Sequence, residues 1–352
     1  MLQVASFSAA LPFQYPFTIS KGTKTEQPAL LVSLGFGKLT GWGEAPAIRY
    51  YDVRVEDMQA SLNAVKGVIE RYALQDPQRF WHFLHHLLPG QHFLIAALDI
   101  AGWDLFAQLR RKPLHAMLGL ENRSPFLSDY TIGLDTAEEM LRKLQAHPSA
   151  VYKLKLARPD DIDLVRALRA ATGAAFRVDM NEGWNYEDSL RLLPELKQLG
   201  VEMAEQPLPK TAWEEMAALK AQSPIPLFAD EACVEEKDVA KCAAGFHGIN
   251  IKLTKCGGIT PALRMIREAR ERGLQVMLGS MNESSIGTSA LVHMAAGADL
   301  LDADGPLLLT GDYADGPEWS AVNGSPYYVS VGEQPGLGIA MRAGWQQYLR
   351  VE

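Results

Sequence analysis

Short apolar runs alternate with amphipathic stretches along most of the chain after Pro125. The eight runs are FLSDYTIG, AVYKLK, AFRVDM, VEMAEQ, IPLFADE, GINIK, LQVMLGS and ADLLDAD. They have the length and residue types of β-strands, whereas the stretches between them have the helical period of about 3.6 residues. Successive run ends from Lys155 to Lys252 are 22 to 26 residues apart, which is enough for one strand, one loop and one helix. The pattern predicts a series of parallel βα units.

Eight such strands favour a closed (β/α)8-type barrel over an open doubly wound sheet. The stretch that follows the eighth run is short of helix and rich in glycine and proline. We therefore predict an α/β protein with a modified (β/α)8 barrel, in the form (β/α)7β, over residues 121–310. The C-terminal segment, residues 311–352, is expected to return toward the N-terminal part of the chain.

The first 120 residues have a different pattern. The runs ALLVSLGF and KLTGWGEAPA predict two strands joined at a turn, and three helical stretches follow. The third, HFLIAALDIAGWDLFAQLRRKPLHAMLGL, is apolar on most faces, which predicts a buried helix that ends at Gly119. Residues 1–120 are thus predicted to form an α+β domain.

Composition narrows the class of protein. The net charge of −8, with no basic tract, argues against a nucleic-acid or membrane partner. The N-terminus lacks a cationic signal region, and no apolar run reaches the roughly 18 residues of a membrane span. The three cysteines (Cys233, Cys242 and Cys256) have no metal-site spacing and are expected to be reduced. We predict a soluble, cytoplasmic protein, and we expect a homo-oligomer.

Charged residues stand at the ends of the predicted barrel strands. They are Lys153 and Lys155 on the second strand, then Asp179, Glu205, Asp230 and Lys252 on the next four, and Asp302 and Asp304 on the eighth. Parallel strands are normally apolar, and an isolated buried charge is costly. Because the active site of such a barrel lies at the C-terminal ends of its strands, we expect these side chains to face one another there.

The acids of three consecutive strands suit a hard cation. Asp179, Glu205 and Asp230 offer only oxygen ligands, with no cysteine or histidine at matching positions, and Mg²⁺ prefers such a set. For any single acid, capping of the next helix or pairing with a lysine is an alternative.

The lysines suit proton transfer. Lys153 and Lys155 lie on the same face of their strand, so each disfavours the other's charge and lowers the pKa of at least one of them. Lys252 lies on the strand across the barrel. A base on each side of a bound substrate would remove a proton from one face of a carbon and deliver one to the other.

Seven segments, taken together, resemble the muconate-lactonizing subgroup of the enolase superfamily. They are YKLKL, RVDMNEGW, AEQPLP, FADEA, NIKLTKCGG, GSMNESSIG and DADGPLLL. Within the subgroup they are most similar to the dipeptide epimerases of the L-Ala-D/L-Glu epimerase type. The resemblance covers nearly the whole chain and identifies the N-terminal α+β domain as a capping domain.

The resemblance implies an isomerase that inverts the α-carbon of the C-terminal residue of a dipeptide through an enediolate. The implied Mg²⁺ ligands are Asp179, Glu205 and Asp230. Lys155 and Lys252 would be the two acid/base catalysts, and Lys153 would lower the pKa of Lys155 and stabilise the enediolate. Lys255, in the following loop, is expected to face solvent.

The resemblance also implies a set of substrate contacts. Asp302 and Asp304 match the motif that binds the dipeptide's α-ammonium, and two acids at a barrel mouth need a cationic partner. Capping of local backbone amides is the alternative. Thr131 is predicted to contact the substrate, and Asn181 and Glu231 to support the metal ligands.

The segment FTISKGTKTEQ is expected to select the substrate side chain through Lys21 and Lys24, where Glu-specific relatives carry an arginine. Lysine attracts an acid but lacks the two-pronged grip of arginine, and either residue could simply be solvated. The first expected substrate pair is L-Ala-L-Glu and L-Ala-D-Glu, in recycling of cell-wall peptides. A hydrophobic or broad dipeptide range is an alternative, as are o-succinylbenzoate synthase, N-acylamino-acid racemase and cycloisomerase activities, and a non-catalytic peptide-binding barrel.

Overall fold

The computed structural model describes residues 1–322 and 324–350. Its N-terminal unit is an antiparallel sheet in the order β1 (Gln3–Ile19), β2 (Gly22–Phe36), β3 (Leu39–Pro46). The helices that follow are α1 (Val55–Glu70), α2 (Pro77–Leu87), α3 (His92–Leu109) and α4 (Leu114–Met117). The sequence predicted β2 and β3 but not β1, whose pairing with β2 is irregular between Pro12 and Phe17.

Helix α3 is the centre of this unit. By length and composition it could cross a membrane, but 78% of it is buried inside the protein, as in the core helix of a soluble fold. β3 approaches it closely at Gly41 and Gly43, where any Cβ would collide with the α3 backbone. The predicted continuation of α3 to Gly119 is wrong. The helix ends at Leu109, because Pro113 lacks the N–H that a continuous helix needs, and the short α4 begins after it.

The second unit contains eight parallel strands, preceded by the two-residue β4 (Phe126–Leu127). The eight are β5 (Tyr130–Ile132), β6 (Val151–Lys155), β7 (Ala175–Asp179), β8 (Val201–Glu205), β9 (Leu227–Ala229), β10 (Gly248–Ile251), β11 (Gln275–Gly279) and β12 (Leu300–Asp302). Neighbours in the chain are neighbours in the sheet, in the order β12 to β5. This nearly closed barrel confirms the predicted fold class.

At least one helix follows each barrel strand, and two helices follow β10. They are α5 (Ala137–Ala146), α6 (Ile162–Ala171), α7 (Tyr186–Gln198), α8 (Trp213–Gln222), α9 (Glu236–Gly245), α10 (Leu253–Cys256), α11 (Ile259–Glu271), α12 (Ser285–His293) and α13 (Gly305–Leu308). The last has only four residues, so the eighth full helix is missing, as the sequence predicted.

The C-terminal segment adds small sheets and runs back to the N-terminal unit. Its strands are β13 (Ala314–Asp315), β14 (Glu318–Val322), β15 (Ser325–Ser330) and β16 (Ala340–Met341). β13 pairs with β16, and β14, β15 and β4 form one sheet. Arg350 N donates to Ser8 O at 2.9 Å, and Trp345 packs against Phe7 and Trp42. The domain boundaries at residues 120 and 310 stay a prediction.

The two units also meet at the start of α12. Glu44 of β3 is buried and accepts hydrogen bonds from Ser284 N, Ser284 Oγ and Gly287 N. Burial raises the pKa of Glu44 to about 8, although these donors act in the opposite direction. The contact seats the N-terminal unit on the barrel beside the loop that follows β11.

Candidate active site

The strand register brings the predicted charged residues to one mouth of the barrel. Lys155 of β6 lies beside Asp179 of β7, which lies beside Glu205 of β8. Asp230 follows β9 directly, and Lys252 follows β10. Because all these strands are parallel, the five side chains converge at their C-terminal ends.

The three acids form one compact, buried group. Asp179, Glu205 and Asp230 each offer an oxygen within 4.8 Å of the others'. Asn250 Nδ2 donates to Glu205 Oε1 at 2.9 Å. Glu205 Oε2 has no hydrogen-bond partner in the described part of the chain, although Lys153 Nζ lies 2.8 Å away, off the direction of a hydrogen bond. Three carboxylates with an unsatisfied oxygen fit a hard divalent cation such as Mg²⁺.

The lysines contact these acids from different sides. Lys155 Nζ lies 2.5 Å from Asp179 Oδ2, and Lys252 Nζ lies 2.8 Å from Asp230 Oδ2. These two acids stand at opposite ends of the acid group, so the two lysines flank it. Lys153 is fully buried between Glu205 and Asp302.

The carboxylates control the charge of the buried lysines. Burial acts to lower the pKa of Lys153, but Asp302 and Glu205 outweigh it, so this pKa lies well above its usual range. Burial is likewise outweighed by Asp230 and Glu205 at Lys252, whose pKa is also raised. The sequence predicted a lowered pKa for at least one of the paired lysines, and Lys153 is not that residue. A divalent cation on the same carboxylates would offset their charge.

Lys255 is not the solvated lysine that the sequence predicted. It is 1% exposed, and it donates to Asp230 O at 2.7 Å, to Cys233 O at 3.0 Å and to the Asp230 carboxylate. The chain turns into α10 directly after Lys252, so one helical turn returns Lys255 to the same side. The three-residue spacing of the two lysines was the signal for this arrangement.

The predicted ammonium-binding acids differ in their surroundings. Asp302 Oδ2 lies 2.7 Å from Lys153 Nζ, and Asp302 lines the pocket described below. Asp304 is buried deeper and accepts a hydrogen bond from Thr131 N, which matches the alternative of local backbone capping. Burial, followed by the charges of Asp302 and Asp129, raises the pKa of Asp304 well above its usual range.

A pocket lies at the barrel mouth, between the two units. Its polar lining includes Lys155, Lys252, Asp302, Thr131 and Asn181, and its apolar lining includes Phe17, Ile19 and Met281. Tyr50 of the N-terminal unit also lines it, with its hydroxyl 3.7 Å from Met281 Sδ. Tyr50 was not predicted from the sequence, since nothing in its own segment shows that it reaches the barrel.

The two loop lysines have separate environments. Lys24 lines the pocket, donates to Gln27 Oε1 at 2.7 Å and lies 6.0 Å from the centre of the Phe17 ring. Burial lowers the pKa of Lys24 to about 8, against the charge of Glu283. Lys21 instead forms ion pairs with Glu182 at 2.6 Å and Glu231 at 3.3 Å.

The residues next to the acid group hold its members in place. Asn181 N donates to Asp179 Oδ1 at 2.9 Å, and Asn181 Nδ2 donates to Glu231 Oε1 at 3.3 Å. Asn250, which was not predicted as a site residue, shares the inward face of β10 with Lys252. A polar residue inside the apolar run GINIK was the available signal.

Two family models match the chain. The model for the mandelate racemase / muconate lactonizing enzyme N-terminal domain matches residues 1–119, and the enolase C-terminal domain-like model matches residues 135–345. Among curated proteins, the chain is 41% identical to an L-Ala-D/L-amino acid epimerase of Flavobacterium johnsoniae over 306 residues, which cover 87% of this chain and 91% of that protein.

The chain is 33% identical to an L-Ala-D/L-Glu epimerase of Bacteroides thetaiotaomicron, with 96% of this chain and 88% of that protein covered. Among solved structures it is similar to a dipeptide epimerase from Cytophaga hutchinsonii complexed with Mg and the dipeptide D-Ala-L-Val. That match has a TM-score of 0.91 and 25% identity, and it covers 99% of this chain and 97% of the other. The chain therefore belongs to the enolase superfamily, in the branch that contains mandelate racemase and muconate lactonizing enzyme.

Proposed function

We propose that this protein is a Mg²⁺-dependent dipeptide epimerase that reversibly inverts the α-carbon of the C-terminal residue. One observation carries the proposal: Lys155 and Lys252 flank a group of three carboxylates at a single pocket. The two curated relatives described above are named epimerases, and the similar solved structure holds Mg and a dipeptide, which supports an isomerase of this kind.

The residues suit a two-base proton transfer. When bound by Asp179, Glu205 and Asp230, Mg²⁺ would hold the substrate carboxylate and stabilise the negative charge that develops on it. Lys155, as a neutral amine, takes the α-proton from one face of the carbon. Lys252, as an ammonium, gives a proton to the opposite face, and the configuration is inverted. In the reverse direction the two lysines exchange these roles.

Other residues orient the substrate and keep charge near the reacting carbon. The Lys153 ammonium lies between Glu205 and Asp302, so it adds positive charge on the side where the acids gather. Asp302, at the pocket wall, would bind the dipeptide's α-ammonium, with Asp304 behind it and Thr131 beside it. An ammonium partner offsets the cost of keeping these acids ionised and buried.

L-Ala-L-Glu and L-Ala-D-Glu are the first candidate substrates, because Lys24 places a cation at the pocket wall. A broader range is the second candidate. Phe17, Ile19 and Met281 line the same pocket with apolar surface, and the Flavobacterium relative is named for amino acids in general. The cytoplasmic location, the homo-oligomer and a role in recycling cell-wall peptides stay predictions.

Deuterium exchange tests the function. The enzyme is incubated with a library of L-Ala-L-Xaa dipeptides and Mg²⁺ in D₂O, and mass spectrometry and NMR locate the incorporated deuterium. We expect deuterium at the α-carbon of the C-terminal residue, with appearance of the L,D-diastereomer. The absence of exchange in every dipeptide would contradict the proposal.

A double variant separates this function from the other reactions of the subgroup. Asp302→Asn combined with Asp304→Asn should abolish dipeptide turnover, since the α-ammonium loses its partners. Cycloisomerase and o-succinylbenzoate synthase substrates carry no ammonium, so conversion of such a substrate by both the wild type and the variant would favour that alternative.

A further inference from the structure

The first and last barrel strands, β5 and β12, are not joined by a backbone ladder in the described residues. One long backbone hydrogen bond crosses between them, from Asp129 N to Leu301 O at 3.4 Å. We call residues 128–131 and 301–304 the seam. A gap between edge strands leaves the closure of the barrel to side chains, because each unpaired backbone group needs another partner.

Side chains close the seam. Ala303 N donates to Ser128 Oγ at 2.9 Å, and Thr131 N donates to the Asp304 carboxylate. Both bonds connect residues that directly follow β12 to the segment around β5. The residues that the proposed function assigns to the substrate's ammonium therefore lie in the seam itself.

A guanidinium in the barrel interior holds both sides of the seam. Arg177, in the middle of β7, is 4% exposed. Its Nη1 donates to Asp129 Oδ2 and to Leu301 O, both at 2.9 Å, and its Nε donates to Glu202 Oε1 at 2.6 Å. One side chain thus bonds to β12, to the residue before β5 and to β8.

This ion pair lies inside the barrel, where apolar side chains are expected. A parallel strand normally carries apolar residues, and burying an arginine with an aspartate rarely adds net stability over apolar packing. Asp129, Asp302 and Asp304 lie with their oxygens within 4.8 Å of one another, and Asp129 Oδ1 has no hydrogen-bond partner among the described residues. Arg177 at Asp129, together with Lys153 at Asp302, supplies positive charge to a group of acids that would repel one another and widen the seam without it.

We propose that Arg177 and Asp129 are positioning residues for the substrate's α-ammonium, acting by closing the seam and holding Asp302 in place. Arg177 binds the carbonyl of Leu301, and Asp302 is the next residue. The guanidinium therefore fixes the backbone position from which the Asp302 side chain extends. The inference rests on the proposed function, because it takes the ammonium as the partner of Asp302. A purely stabilising ion pair would have no preference between substrates with and without an amine.

The test compares two ligands that differ only at the amine. KM and kcat are measured for L-Ala-L-Glu, and an inhibition constant is measured for N-acetyl-L-Ala-L-Glu, which lacks the ammonium. In Arg177→Met and Asp129→Asn we expect KM to rise about tenfold, the effect of one weakened charge-assisted contact, with kcat changed less than about threefold. The inhibition constant of the acetylated dipeptide should stay within about twofold of the wild type.

Two further variants serve as controls. Arg177→Lys keeps the charge and should restore part of the loss in KM. Arg166→Met removes an exposed ion pair with Glu195 on the outer helices and should change neither constant. If Arg177→Met does not fold, Asp129→Asn, which keeps the side-chain volume, decides the matter. A parallel rise of KM and the inhibition constant, or no change in KM, would overturn the inference.

Failure of the proposed function would be visible separately, as a wild-type enzyme that epimerises no dipeptide. Amide hydrogen exchange over residues 128–131 and 301–304 then tests the closure alone. Faster exchange in Asp129→Asn than in Arg166→Met supports a seam held by this pair, and equal exchange overturns it.

Discussion

Lys155 and Lys252 bind acids at opposite ends of one group, so each is placed to serve one face of a substrate carbon. In Lys155→Met and Lys252→Met we expect epimerisation to stop, because inversion needs both faces. Each variant should still exchange the α-proton of one stereoisomer, through its remaining lysine. NMR of each diastereomer in D₂O measures this. Full turnover in either variant would contradict the two-base assignment, and Lys220→Met, on an outer helix, is the control.

Lys24 is the charged residue best placed to select the substrate side chain, since it lines the pocket between aromatic rings. Lys24→Met should lower kcat/KM for L-Ala-L-Glu about tenfold, the size of one lost charge-assisted contact, and raise the relative rate with L-Ala-L-Leu. Lys21→Met is the matched control, because Lys21 pairs with Glu182 and Glu231 instead. Equal losses on both dipeptides would argue against a role for Lys24 in selectivity.

Lys255 joins Asp230 to the backbone below the pocket. Its loss removes the donor to Asp230 Oδ1 and to Cys233 O, although Lys252 still contacts Asp230 Oδ2. Breaking such a buried pair costs on the order of 3 kcal/mol, and we expect Lys255→Met to lose about that much unfolding free energy. Urea titration followed by circular dichroism measures it. A loss no larger than that of the exposed Lys237→Met would contradict this structural role.

Strand ends are the part of the site that sequence predicts well, because one charged residue per βα unit repeats at a regular spacing. Contacts between side chains inside the barrel are harder to predict from the sequence. Arg177 and Asp129 are distant in the sequence, and only the closed barrel brings them together. Lys255 is buried because the chain enters α10 directly after β10, and the periodicity of the strands does not predict that turn.

At the scale of elements, a histidine pair joins α4, α12 and the C-terminal segment. His115 N and His115 Nδ1 lie 3.2 and 3.1 Å from His293 Nδ1, and His293 Nε2 lies 3.2 Å from Leu337 O. A neutral His293 with its proton on Nε2 satisfies all three contacts. Burial lowers the pKa of His293 to about 4. Glu333 lies 3.7 Å from His115 Nε2, on the exposed side of the pair.

This pair predicts a loss of stability in acid. Since the folded-state pKa of His293 lies below its unfolded value of 6.5, its contribution is complete above pH 6.5 and is lost as the pH falls toward about 4. The loss amounts to roughly 3 kcal/mol. The unfolding free energy of His293→Gln should change less between these pH values than that of the wild type, by urea titration. Equal pH slopes would contradict the assignment.

Helices and strands were predictable from the sequence where their apolar residues repeat at one regular spacing. The barrel runs are regular, but β1 contains Pro12 and Pro16 and an irregular register, so its local pattern resembles a loop. Helix α3 was predicted from its apolar faces. Its end was predicted at Gly119, which is too late, because Pro113 interrupts the helix first.

For the whole molecule, three buried carboxylates near one point predict that a divalent cation stabilises the fold. A ligand at a hundred times its Kd adds about 2.7 kcal/mol, which for a chain of this size raises Tm by roughly 4 °C. Calorimetry with Mg²⁺ and with EDTA measures the shift. Glu205→Gln should lose most of the response, and an equal shift in this variant would place the stabilising ion elsewhere.

The pocket takes its walls from both units of the chain. The lysines and acids that would carry out the reaction stand on the barrel, whereas Phe17, Ile19, Lys24 and Tyr50 come from the N-terminal unit. Mutations in that unit can therefore change which dipeptide is accepted while the proton-transfer groups stay in place. In such an arrangement new substrates can be acquired through a few substitutions in the N-terminal unit, and the reaction itself is inherited unchanged.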